Sequence, residues 1–161
     1  MKDLLPLGER IGALLKVRKE TVAVAESATG GLISAALLAV PGASAYFMGG
    51  GVLYTRKSIL ALKGTHEGLF SGKRGGTEAW AKMIAGAMKE QCSTTWAIGE
   101  SGAAGPTGNR YGDPAGTSSI VVIGLVERAL RLETGSADRV ANMRAFSAAA
   151  LKLFAETLEK K

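Results

Sequence analysis

A serine and two clusters of glycine are the residues whose types and spacing suit chemistry. Glu26-Ser27-Ala28-Thr29-Gly30-Gly31 lies where a short apolar run ends and a second apolar run begins. The opening turn of a helix offers unpaired N–H groups and a partial positive charge. Gly30 and Gly31 open that backbone to a ligand, and Ser27 precedes it with a free hydroxyl. This suits anion binding, or an oxyanion hole beside a nucleophile. The plainer alternative is a capped helix start with Thr29 as the N-cap. A second cluster, Ser101-Gly102-Ala103-Ala104-Gly105-Pro106, follows another apolar run. The two turns are expected to build one small-molecule site, with Glu26, Thr29, Gly30, Gly31, Ser101, Gly102, Ala103, Gly105 and Pro106 as its ligand contacts.

Other chemistries are excluded by spacing. Gly102, Gly105 and Gly108 recur every three residues and lead into a polar loop, which is not the glycine pattern of a dinucleotide fold. Gly68 to Gly72-Lys73-Arg74 is one residue short of a phosphate loop and lacks the following Ser or Thr. The single histidine, His66, and the single cysteine, Cys92, are far apart, so neither a metal site nor a cofactor is expected. A Ser-His-Asp triad would depend on His66, which sits in a glycine-rich loop and reads as exposed.

The elements that must position these turns follow from periodicity. Residues 4–19 repeat apolar side chains every three to four positions and read as an amphipathic helix. Residues 21–25 read as a buried strand, 30–40 as a helix closed by Pro41-Gly42, and 49–55 as a strand. A short helix is expected over 56–63 with Gly64 as its stop, a loop over 65–76, and a helix over 77–91. Strands are expected at 94–98, 117–126 and 130–134, the last pair turning at Glu127-Arg128, and a helix at 138–158. Strands alternating with helices imply a three-layer α/β/α fold with a mixed, partly parallel central sheet, built as a single domain over residues 1–161.

Composition narrows the partners. The formal charge is +6, but the cations are spread along the chain and aromatic residues make up only 6%, which argues against nucleic acid. No apolar run approaches the ~20 residues that span a bilayer, and the first residues carry no signal-peptide stretch. One cysteine suits a reducing cytoplasm, where Cys92 is expected to act as a small buried hydrophobe. The stretch Phe47-Met48-Gly49-Gly50-Gly51 is a candidate homo-oligomer surface; the alternative is that Phe47 and Met48 pack in the core.

Both glycine-rich turns, together with Val40-Pro41-Gly42-Ala43-Ser44, Gly50-Gly51-Val52-Leu53-Tyr54 and Pro114-Ala115-Gly116-Thr117, resemble in order the motifs of the CinA C-terminal domain family, from about Leu4 to Leu158. The resemblance implies a nicotinamide mononucleotide amidase, in a form that also occurs alone and commonly self-associates. It implies a serine nucleophile at Ser27, a tyrosine at Tyr54 and a lysine base five residues later, where this chain carries Ile59. Ala28 also replaces the family's usual cysteine. Lys63, four residues beyond Ile59 on an expected helix face, is the candidate replacement base, whereas Lys57 points elsewhere on that helix and Arg56 stays protonated. Ile59→Lys is therefore expected to raise amidase activity. The alternative is a domain that binds a pyridine-nucleotide-like ligand without turnover, because the lysine position holds Ile59.

Overall fold

A computed structural model describes residues 1–160. The helices are α1 (Leu5–Arg18), α2 (Leu32–Leu38), α3 (Arg56–Ile59), α4 (Glu78–Cys92) and α5 (Arg139–Glu159). The strands are β1 (Val22–Glu26), β2 (Phe47–Val52), β3 (Trp96–Ala103), β4 (Thr117–Ile123) and β5 (Arg128–Glu133). They form one mixed sheet in the order β2-β1-β3-β4-β5. β1 runs parallel to both β2 and β3, while β3–β4 and β4–β5 are antiparallel.

Alternation along β1 separates the two faces. Val22 and Val24 join Trp96, Ile98, Ile120 and Val122 against α1, α2 and α5, where Ile11, Leu15, Ile33, Leu151 and Phe154 complete the larger core. Ala23 and Ala25 face the other way, onto Trp80, Ile84 and Met88 of α4. The small side chains allow α4 to lie close. At Gly99 of β3, an added Cβ would meet the Ala81 carbonyl oxygen at 2.1 Å, so only glycine fits the approach. The result is the expected α/β/α sandwich.

Three local differences matter for the site. β3 does not stop at residue 98 but continues to Ala103, because β4 offers partners throughout, Ser101 opposite Ser119 and Ala103 opposite Thr117. The expected second turn therefore begins as strand. The hairpin turn lies at residues 124–127 rather than at Glu127-Arg128. α3 ends at Ile59 instead of reaching Lys63. The Thr65 hydroxyl donates to the Ile59 carbonyl at 3.0 Å, taking the acceptor a helical Lys63 N–H would use. That N–H donates to Gln91 Oε1 at 2.9 Å, outside the helix.

Candidate functional site

A cleft of about 590 Å³ opens at the C-terminal ends of β1 and β3. Ser27, half-buried just past β1, lines it together with Tyr54, Ser101 and Gly102. The remaining wall comes from Leu53, Trp80, the α3 start with Arg56 and Lys57, Gly75-Gly76, and the loop residues Asn109, Arg110 and Tyr111. A smaller recess of about 230 Å³ adjoins it through Tyr54, Gly102 and Asn109, and takes in Ala28, Ala103, Gly105 and Arg139.

The turn after β1 is organised by two buried carboxylates. Glu26 is fully buried and caps α2: Oε2 accepts from the Gly31 and Ile33 N–H groups at 3.0 and 3.1 Å, and Oε1 accepts from the Ser34 N–H and hydroxyl at 2.8 and 2.6 Å. Gly30 and Gly31 have φ of +64° and +98°, which suits glycine and aims the chain back over that carboxylate. The Gly30 N–H donates to the Ser27 carbonyl. The expectation that these amides face a ligand is thus corrected. They are occupied by the protein's own acceptors, Glu26 is a cap instead of a ligand contact, and Thr29 is not the N-cap of α2, a place Gly31 holds. Thr29 is fully buried, lines neither the cleft nor the recess, and its hydroxyl donates to Glu100.

Glu100, in β3, is the second carboxylate. Oε2 accepts from the Ser27 N–H at 3.1 Å and from the Thr29 N–H and hydroxyl, both at 3.0 Å. Oε1 accepts from the Ser118 hydroxyl at 2.7 Å. Burial pushes its pKa up; the four donors oppose that shift only in part. The Ala28 N–H, beside Ser27, makes no hydrogen bond among the described residues.

The far wall is held by charge. Asp113 accepts from Arg74 at 2.6 Å, from Asn109 at 2.7 Å and from Arg131 at 3.3 Å. The Arg74 hydrogen bond, then Asn109 and Arg131, hold its carboxyl well below the usual range, at about 2. This knot ties the loop carrying Tyr111 to the segment around Gly76, whose N–H donates to Ser101 Oγ at 3.0 Å. The guanidinium groups of Arg74 and Arg110 stand 5.3 and 5.2 Å from the Tyr111 ring centre. Arg56 packs over Phe70 at 4.8 Å and Trp80 at 5.9 Å. From the start of α5, Arg139 and Asn142 donate to the carbonyls of Gly105 and Ala104.

Of the expected contacts, Ser27, Tyr54, Ser101 and Gly102 therefore meet in the cleft, and Ala103 and Gly105 line the recess. Pro106 is exposed and lines neither. Lys63 is a correction: α3 stops short of it, and its side chain borders a separate groove with Leu69, Met83 and Glu90. Lys57, set aside on helical geometry, is the lysine that lines the cleft. Ile59 does not line it and is fully buried among Leu53, Phe70, Trp80 and Ile84. Arg110-Tyr111, a cation beside an aromatic in a polar loop, was a legible signal that sequence reading passed over. Glu100 was legible as an acid ending the apolar run 96–98.

Chemically, the cleft offers a half-buried hydroxyl, aromatic walls from Tyr54, Trp80 and Tyr111, and cations at Arg56, Lys57 and Arg110. No acidic side chain among the described residues lines it. It suits a small anionic ligand with a flat ring. No group of three or more potential metal ligands occurs among the described residues, and no helix there is long and apolar enough to cross a membrane.

Residues 5–158 match the family model described as the CinA C-terminal domain. A CinA-like protein of Chloroherpeton thalassium is 38% identical over 162 residues, covering 96% of this chain, and one of Salinibacter ruber is 35% identical, covering 92%. The chain spans only 38% and 36% of those two relatives' lengths. A CinA superfamily protein of Klebsiella pneumoniae superposes with a TM-score of 0.90 at 24% identity, over 98% of this chain and 99% of the other. A competence/damage inducible protein of Agrobacterium tumefaciens gives 0.87 at 24% identity, over 98% and 96%.

Proposed function

The chain belongs to the CinA C-terminal domain family, and on that premise we propose that it hydrolyses the carboxamide of a nicotinamide nucleotide, nicotinamide mononucleotide first among them. The observation that carries the reading is the meeting of Ser27 and Tyr54 in one cleft with a rim of Arg56, Lys57 and Arg110. The cations receive the phosphate, and the exposed Tyr54 provides a face for the pyridinium ring. Ser27 Oγ attacks the carboxamide carbon and passes its hydroxyl proton to the Lys57 amine, which lines the cleft. The Ala28 N–H donates to the developing oxyanion, in the place a backbone amide after a nucleophile commonly serves. The proton returns to the leaving nitrogen, ammonia departs, and water releases the acid from the serine ester. The test is ammonia release from nicotinamide mononucleotide by the purified chain beside Ser27→Ala; equal rates refute the mechanism.

A second reading has its own observation. Ile59, at the position where the resembled family carries lysine, is sealed in an apolar cluster. This favours a domain that binds the nucleotide without turnover. Saturable binding with no ammonia release selects it, and a panel of pyridine nucleotides that produces no thermal shift removes both. Association of copies is proposed through the edge strand β2, where Phe47 packs against the larger core but Met48 is 42% exposed. A monomer in light scattering at micromolar concentration refutes it.

A further inference from the structure

The proposed reaction leaves Glu100 without a role. Glu26, Glu100 and Asp113 are the buried carboxylates among the described residues. Glu26 caps a helix and Asp113 is paired with two arginines. Glu100 has neither helix nor cation: its partners are two amides and two hydroxyls. A carboxylate buried in a sheet interior without a cation is costly even when hydrogen-bonded, which directs attention to what it holds.

We propose that Glu100 is the positioning residue for Ser27, fixing the nucleophile through the backbone of its turn; this rests on the reading of Ser27 as nucleophile. Its Oε2 accepts the N–H of Ser27 and the N–H of Thr29, the two amides that bracket Ala28. One oxygen thereby fixes the Glu26–Ser27 and Ala28–Thr29 peptide planes, the two that flank the plane carrying the Ala28 N–H. The Thr29 hydroxyl is a third donor on that oxygen, which leaves no place there for the Ser27 hydroxyl, so Glu100 is not the proton acceptor. Its other oxygen is tied by Ser118 to β4. The turn is therefore referenced to the rigid centre of the sheet: β3 lies between β1 and β4.

Glu100→Gln keeps the shape. Its amide oxygen accepts the Ser27 and Thr29 donors, and its NH₂ donates to a Ser118 hydroxyl rotated to accept. Glu100→Ala removes every bond, and Glu100→Asp keeps the charge but withdraws the oxygens by one carbon. Amide hydrogen exchange at Ser27 and Thr29 is read alongside kcat and KM for nicotinamide mononucleotide. The expected result is exchange faster by ~10-fold or more in Ala and Asp and near parental in Gln. The kcat should fall by roughly 10–100-fold in Ala and Asp with KM little changed, and Gln should restore most of it, since displacing a reacting group by about 1 Å costs rates of that order. Unchanged exchange in Ala overturns the proposal. So does a Gln variant as slow as Ala with both amides still protected, which would assign the role to charge. If Ala does not fold, the Asp and Gln pair decides by the same readouts. Unchanged turnover in Ser27→Ala removes the nucleophile, while amide exchange still judges the anchor.

Discussion

Placing lysine at residue 59 puts the family resemblance and the structure in direct opposition. The resemblance expects Ile59→Lys to supply a missing base. The structure surrounds Ile59, which is 0% exposed, with Ala23, Ala25, Leu53, Phe70, Trp80, Ile84 and Met88. Every side chain in that set is apolar, so a lysine held among them is favoured in its neutral form. Removing its proton at pH 7, from an ordinary value near 10.4, costs about 5 kcal/mol. That is comparable to the whole stability of a marginal domain, about 5–15 kcal/mol. The sign in pH is fixed. The unfolded chain binds the proton and the folded chain does not, so stability rises with pH, by about 1.4 kcal/mol per unit, until the ordinary value is reached. Urea unfolding at pH 7 and pH 9, with Ile59→Met as a control for shape, measures both quantities. The expected deficit against Met is about 5 kcal/mol at pH 7, shrinking by about 3 kcal/mol at pH 9. A deficit below about 1 kcal/mol that does not change with pH refutes the reasoning, because the ammonium has then reached water. In that event the amine stands beside the cleft, and a rise in amidase activity of roughly 10²–10⁴-fold becomes the expected outcome.

Three further outcomes follow from the same geometry. Lys57→Ala should lower amide hydrolysis by roughly 10²-fold or more, whereas Lys63→Ala, on a separate groove, should leave it unchanged; steady-state kinetics on both variants decides, and the reverse pattern refutes the assignment of the base. Asp113, held at about 2 in the folded chain, contributes stability that is present above pH 4 and is lost as pH falls toward 2. Asp113→Ala should cost up to about 2 kcal/mol in urea unfolding at pH 7 and progressively less at pH 3, and a deficit that does not shrink counts against the knot. Glycine-to-alanine changes should have opposite signs at two positions. At Gly86, inside α4 with nothing within 4 Å of the new Cβ, stability should rise by about 0.5–1 kcal/mol; at Gly99 the clash with Ala81 should lower it, and thermal melts of the pair test this.

The sequence by itself determined the order and kind of the elements, because periodicity and glycine placement are local properties. It determined the mixed α/β/α fold, the strand-to-turn placement of Ser27, and the family, whose motifs are contiguous strings such as Glu26 to Gly31. It did not determine which groups those strings face. Whether the Gly31 N–H meets a ligand or Glu26 depends on the path of the turn itself, and whether the Ser27 N–H meets solvent or a glutamate 73 residues away depends on where β3 lies. The reach of β3 to Ala103 was set by β4 across the sheet. Four-residue helical spacing put Lys63 beneath Ile59, but a hydroxyl from Thr65 and a side chain from Gln91 ended that helix first. Lys57 entered the cleft and Ile59 the core for the same reason. Local pattern selects an element, while its ends and the direction of its side chains are decided by competition for hydrogen bonds and buried area among segments distant in the chain.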